Sequence, residues 1–156
     1  MKKLILLFAL LTSGLFTETT FSQTDTRNNI ESQPMWGPVG YNYVEYYYLI
    51  DIESYYSIKK HKFIVFEDGY WISQYSLPER FLDFDVYSAR VVVINEPRPY
   101  LRHKEHWSIY PWTSEGKNLQ VIRDSEEVKY MISKNHPKHA KWVEMKRNER
   151  RNRWRS

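Results

Sequence analysis

The chain has 156 residues, with 23 basic and 19 acidic side chains for a formal charge of +4, and contains no cysteine. The lack of cysteine excludes disulfides, thiolate metal sites, a cysteine nucleophile and a lipid-modified N-terminal cysteine together. The charge is uneven: residues 138–156 carry eight basic side chains against Glu144 and Glu149, whereas residues 23–137 are net negative.

Lys2 and Lys3 precede an unbroken apolar run from Leu4 to Leu11, and Thr20, Phe21 and Ser22 form a small-residue site before Gln23. That order is the pattern of a secretory signal peptide over 1–22, cleaved after Ser22. A membrane-spanning helix needs about 20 apolar residues, and this run meets Thr, Glu and Asp sooner; the competing reading is an uncleaved N-terminal anchor. The expectation is an exported protein, periplasmic or extracellular, whose mature 134 residues hold one core and no transmembrane helix.

Residues 23–33 are polar and aperiodic and read as a flexible lead. Pro34 to Tyr41 combines two prolines and two glycines with Trp36, a turn-rich entry whose tryptophan covers one end of the core. Seven tyrosines fall between Tyr41 and Tyr56, and from Val44 the Tyr-, Ile-, Val- and Phe-rich runs predict strands at 43–49, 54–58, 63–66 and 70–75. Alternation alone permits one continuous strand through 44–58; the segment from Asp51 to Ser54 reads equally as a turn. Glu67-Asp68-Gly69 is expected as a three-residue hairpin loop, and Lys59-Lys60-His61-Lys62 as a polar turn. Ser76-Leu77-Pro78-Glu79 has the form of a capping box opening a short helix to about Leu82. Ala89 to Asn95, with Val91-Val92-Val93-Ile94, reads as a buried strand, ended by Pro97 and Pro99, after which a helix can start. A helix is predicted from Asp124 past Met131, stopped at Asn135-His136-Pro137, and a second from Pro137 to about Arg153. The fold class is α+β: a small antiparallel Tyr-rich meander over 34–112 with short packed helices, then a basic helical C-terminal extension over 113–156.

The segments Tyr46-Tyr47-Tyr48-Leu49, Asp51-Ile52-Glu53, Tyr55-Tyr56, Phe63-Ile64-Val65-Phe66, Gly69-Tyr70-Trp71, Leu77-Pro78, Pro99-Tyr100, His103, His106 and Tyr110-Pro111 form an ordered set over residues 36–111. In that order the chain resembles a family of small exported bacterial proteins of no assigned activity. It departs at Ile50, where similar sequences tend to carry proline, and the residues after Trp112 have no counterpart. The resemblance implies export and a β-rich fold and assigns no catalytic residue.

The sharpest constellation is His103-Lys104-Glu105-His106. Three-residue spacing on a helix puts both imidazoles on one face, about 5–6 Å apart, which suits two ligands of a zinc or copper ion; the plainer reading is packing against the sheet or helix capping. The carboxylate pairs Asp51/Glu53, Glu67/Asp68 and Asp83/Asp85 meet the bare requirement of glycoside hydrolysis, yet all lie where turns want acids. No Gly-x-Ser-x-Gly, His-Glu-x-x-His, phosphate loop or dinucleotide fingerprint occurs. Tyr47, Tyr55 and Trp71 are candidates for an exposed aromatic binding surface, against core packing as the ordinary use of such rings. Lys146, Arg147, Arg150, Arg151, Arg153 and Arg155 form a tail that attracts anionic polymers or a membrane surface, against the plain reading of a solvated helix; nucleic acid is disfavoured by export. The expected function is a non-enzymatic binding or structural module of the cell envelope, without a cofactor. The alternatives are a metal-binding protein using His103 and His106, and a hydrolase acting on an envelope polymer.

Overall fold

The computed structural model describes residues 27–111 and 119–155. The expected signal peptide at 1–22, the first residues of the polar lead, the start of the expected extension at 113–118, and Ser156 lie outside these residues.

Five strands form one antiparallel sheet: β1 (Tyr46–Leu49), β2 (Ser54–Ser57), β3 (Lys62–Glu67), β4 (Tyr70–Gln74) and β5 (Val91–Ile94), in the order β4-β3-β2-β1-β5. The first four make a meander, and β5 returns to pair with β1, Tyr47 opposite Val93. Two α-helices follow, α1 (His103–Ile109) and α2 (His139–Arg153). The molecule is a small α+β fold. Among the described residues no helix is long and apolar enough to cross a membrane.

The stretch that alternation left undecided is two strands. A 3-10 turn at Ile50–Ile52 breaks it, Glu53 closes the turn in the left-handed region (φ 48°), and Leu49 pairs with Ser54 across it. The hairpin between β3 and β4 is tighter than expected. Glu67 pairs with Tyr70, leaving a two-residue loop with positive φ at both Asp68 (49°) and Gly69 (85°). That is the primed turn whose twist matches the strands it joins, and Asp and Gly are the residues that tolerate it.

Alternation along β1 sends its tyrosines to opposite faces. Tyr47 and Leu49 join Tyr56, Phe63, Val65 and Trp36 in one cluster, with Val91 and Val93 against it. Tyr48 joins Tyr55, Ile64 and Ile94 in the other, with Tyr100, Tyr110 and Trp71 over it. Trp36 lies 5.3 Å from Tyr47, 5.0 Å from Tyr56 and 6.2 Å from Phe63, ring centre to ring centre, and so caps the first cluster as its place in the chain implies. Each large apolar side chain buried in this way contributes about 1.5–3 kcal/mol, and without disulfides these two layers hold the sheet.

The polar lead is packed over its described part rather than flexible. Ile30 and Gln33 are buried, and side-chain amides do the work of a strand. Asn29 Nδ2 donates to the Val44 carbonyl at 2.6 Å while its Oδ1 accepts from the Val44 amide at 3.0 Å. The segment 119–138 is no detached extension either. The amide of Val39 donates to the Gln120 carbonyl, that of Ile122 to Gly37, and that of Arg123 to Met35, around a single bridge between Pro38 and Val121. Ile122 and Tyr130 bury against Ile30, and the Tyr130 hydroxyl accepts from the Gly40 amide at 2.6 Å.

Two expected helices are reduced to short 3-10 turns. The helix predicted from Asp124 is a 3-10 turn at Ile122–Asp124, which Ser125 leaves in extended backbone (ψ 140°) before a chain of turns. Burying Ile122 and Tyr130 against Ile30 wins over the local acidic start signal. At Ser76 no capping box forms; a 3-10 turn at Glu79–Phe81 has no side-chain cap, and Leu82, 83% exposed, offers no apolar anchor for a longer helix.

Candidate functional site

A pair of prolines ends β5 and a short 3-10 turn at Pro99–Arg102 runs straight into α1, laying that helix across the Tyr48/Tyr55 face. The three-residue spacing of His103 and His106 then does what it predicts: both imidazoles face the sheet. They meet on one atom. The Tyr55 hydroxyl is 2.8 Å from His106 Nδ1 and 3.4 Å from His103 Nδ1. Behind each ring stands a carboxylate. Glu53 Oε2 is 3.6 Å from His103 Nε2, longer than a hydrogen bond. Glu96 Oε1 is 3.1 Å from His106 Nε2, close but not aligned as a hydrogen bond, so this buried oxygen is not fully satisfied.

The outer edges of the cluster are pinned. Trp107 Nε1 donates to Glu53 Oε1 at 3.0 Å, and Arg102 donates to Glu96 Oε2 at 2.7 Å and also pairs with Glu105. The Tyr48 ring is tilted against that of Tyr55, 4.9 Å between centres, near both imidazoles, and its buried hydroxyl has no hydrogen-bond partner among the described residues.

Protons decide what such a cluster can do. The Glu96 carboxylate close to His106 Nε2 favours hydrogen on that nitrogen, which leaves His106 Nδ1 as an acceptor turned to the phenol. A phenol has one proton to donate, and the shorter contact, to His106, takes it. Burial, then the neighbouring Tyr48 and Glu96, push the Tyr55 hydroxyl well above its ordinary range. Burial, with a lesser contribution from Glu53, pushes Tyr48 up to about 12. Both phenols therefore stay protonated near neutrality. Burial lowers His103 below its ordinary value, while Glu53 pulls the other way.

His103 is also where the cluster meets solvent. Its ring lies 5.1 Å from that of Trp71, and beside them opens a groove of about 460 Å³ lined by Phe66, Trp71, Tyr100 and Leu101, with His103 and the charged residues Arg102, Lys104 and Glu105. Phe66 on β3 and Trp71 on β4 are cross-strand partners, their rings 5.2 Å apart. Tyr100 stands 6.0 Å from Trp71. The volume falls in the range of small-ligand pockets, and the wall is aromatic with polar groups at one rim.

The predicted residues separate accordingly. Trp71 lines the groove. Tyr47 and Tyr55 are corrected: both are 0% exposed and present no surface. Tyr47 lies in the core under Trp36, its hydroxyl donating to Gln33 Oε1 at 3.1 Å, and Tyr55 lies beneath α1. Position forces this, because β1 and β2 are inner strands of the sheet with a packed cluster on each face. His103 and His106 converge as a metal pair would, but on a hydroxyl. An ion held by both Nδ1 atoms would have to displace that hydroxyl or bind it, and no set of three or more His, Cys, Asp or Glu side chains placed for a metal ion occurs among the described residues. The other imidazoles of the tail are used locally: His136 Nδ1 accepts from the Lys138 amide and His139 Nδ1 meets the Met131 carbonyl. The carboxylate pairs are also engaged, Asp51 with Arg90, Glu67 with Arg80, and Asp85 with the Tyr87 amide. Lys146, Arg147, Arg150, Arg151 and Arg153 are exposed on α2, with Arg155 just beyond its end.

Tyr48, Phe66, Glu96, Tyr100 and Trp107 were not singled out as site residues by sequence. Tyr48 and Tyr100 lie on this one face together with Trp71, His103 and His106, and Glu53 reaches its edge.

Comparison with protein-family models, with curated proteins and with solved structures finds no match to this chain.

Proposed function

We propose that this protein is a non-enzymatic binding module of the cell envelope, exported by its N-terminal segment, and that its ligand lies in the groove between β3–β4 and α1. The observation that carries the reading is the aromatic wall of that groove, Phe66, Trp71 and Tyr100, beside a half-buried imidazole. Phe66 is 52% exposed, and an apolar ring left open beside two others is surface that a ligand can cover. Flat aromatic faces bordered by hydrogen-bonding groups suit a sugar ring, whose C–H face stacks while its hydroxyls reach polar side chains. Here Arg102, His103, Lys104 and Glu105 supply that rim. The ligand class is therefore an envelope glycan. Export rests on the order of Lys2-Lys3, the Leu4 to Leu11 run and the small-residue site.

The test is a titration of the protein with soluble envelope-glycan fragments, followed by amide chemical shifts. Shifts are expected at Trp71, Tyr100 and His103, with Trp71→Ala weakening binding about tenfold, as for a ring at the centre of an interface. Shifts that avoid α1 and β4, or a Trp71→Ala variant that binds as tightly as the parent, reject the groove.

A further inference from the structure

We propose that the basic face of α2 is a docking surface for an anionic lipid headgroup layer, on which the helix lies flat. The inference is independent of the groove. α2 runs 15 residues with none of them buried, a cylinder about 22 Å long at 1.5 Å per residue. At 3.6 residues per turn, Lys146, Arg147, Arg150, Arg151 and Arg153 all fall within one arc of about 160°. Asn148 and Asn152 take the opposite side, and Glu144 and Glu149 stand just outside the two edges of the arc. The arc itself holds no carboxylate, and Glu149 beside it pairs with Lys146 at 2.8 Å. Arg147, Arg150 and Arg151 form no ion pair with a carboxylate among the described residues; Arg151 reaches Asn148 and Arg150 the Lys146 carbonyl.

A helix whose basic residues only served its own C-terminal dipole would need them in the last turn, not gathered on one side over two turns. The occupant is identified by what shares the arc. Val143 projects between the cations, and so does Trp154, which is 89% exposed. An indole standing in water among arginines is badly placed for a purely ionic partner and well placed at a membrane interface, where its apolar ring sits among headgroups and cations meet lipid phosphates. The helix has too few apolar residues to insert deeply, so binding is electrostatic, peripheral and salt-sensitive.

The experiment uses the chain from Gln23 onward, which contains all of the described structure, and sediments it with vesicles of phosphatidylcholine alone or with phosphatidylglycerol. Binding is expected only to the anionic vesicles and is lost at high salt. Arg147→Gln/Arg150→Gln/Arg151→Gln, on an exposed face and checked for native circular dichroism, lowers partitioning about a hundredfold at roughly fivefold per charge. Trp154→Ala lowers it further at fixed charge. Equal binding to neutral vesicles, no binding to either, or an unchanged triple variant overturns the proposal. So does tight binding of soluble polyphosphate with no effect of Trp154→Ala on vesicles, which assigns the face to linear polyanions instead.

Discussion

Tyr48 and Tyr55 lie side by side on neighbouring strands, rings 4.9 Å apart, yet losing a hydroxyl is expected to change stability in opposite directions. Tyr55→Phe keeps the ring and its contacts with Trp71 and Tyr100. It removes the hydroxyl that His106 Nδ1 holds at 2.8 Å inside the core. A typical hydrogen bond contributes about 1 kcal/mol, and stranding a buried partner raises the cost to about 1–3 kcal/mol; the 3.4 Å contact to half-exposed His103 adds little because that ring can turn to water. The expected loss is about 2 kcal/mol, or a fall in Tm of about 8 °C for a domain of this size. Tyr48→Phe deletes a buried hydroxyl that has no partner among the described residues, so desolvation no longer opposes folding and Tm stays level or rises. Tyr56→Phe, whose hydroxyl makes no hydrogen bond among the described residues, is the control, within about 0.5 kcal/mol of the parent. Scanning calorimetry on the three variants is the assay. A Tyr55→Phe Tm equal to the control, or a Tyr48→Phe variant as unstable as Tyr55→Phe, refutes the hydrogen-bond assignment beneath α1.

Gly37→Ala places a Cβ 2.5 Å from Tyr47 Oη and 2.9 Å from two of its ring carbons. That ring is fully buried, so the substitution should cost about 1–3 kcal/mol in urea unfolding, and adding Tyr47→Leu should recover part of it; an unchanged midpoint would mean that the Tyr47 ring yields freely. Stability should also fall with acid through His103. Above its ordinary value of about 6.5 the imidazole is neutral folded and unfolded; as pH drops below that, the unfolded chain takes the proton first, because burial lowers the folded value. This contribution to stability is complete above pH ~6.5 and is lost as pH falls towards the folded value. Urea midpoints of the parent and His103→Gln between pH 7.5 and 5 should converge towards acid, and parallel curves would remove His103 from the pH dependence.

Much of the sheet was legible because its signals are local. Tyr, Val and Ile runs mark β1 to β5, and Asp68-Gly69 marks a hairpin, though whether Glu67 belonged to the loop depended on strand pairing. What escaped was set by distant partners. Asn29 and Gln33 look like lead residues because they are polar, and only their bonds to Val44, Tyr41 and Tyr47 make them part of the core wall. The acidic start at Asp124 is a fair helix signal that Ile122 and Tyr130 override by burying against Ile30. In the site, the His103/His106 spacing was readable as a shared face. Its target was not, since the Tyr55 hydroxyl comes from about 50 positions away through the pairing of β1 with β2. Trp71 sits on edge strand β4, while Tyr47 and Tyr55 belong to strands with neighbours on both sides and layers above and below.

The clasp between residues 35–39 and 120–123 bears on the order in which the molecule can assemble. A chain emerging N-terminus first, from a ribosome or through a translocation channel, can fold its meander once Gln74 is out, since β1 to β4 need only their sequence neighbours. Within the strip from Asn28 to Gly40, Asn29 and Trp36 can settle on Val44 and Tyr47 at once, but its outer flank has to wait. Its partners, Val121, Ile122 and Tyr130, appear some ninety residues later, and until then Ile30, Met35 and Val39 remain without that cover. A chain stopped before Tyr130 would carry a formed sheet with one sticky flank, the state in which a helper that shields apolar surface has most to do.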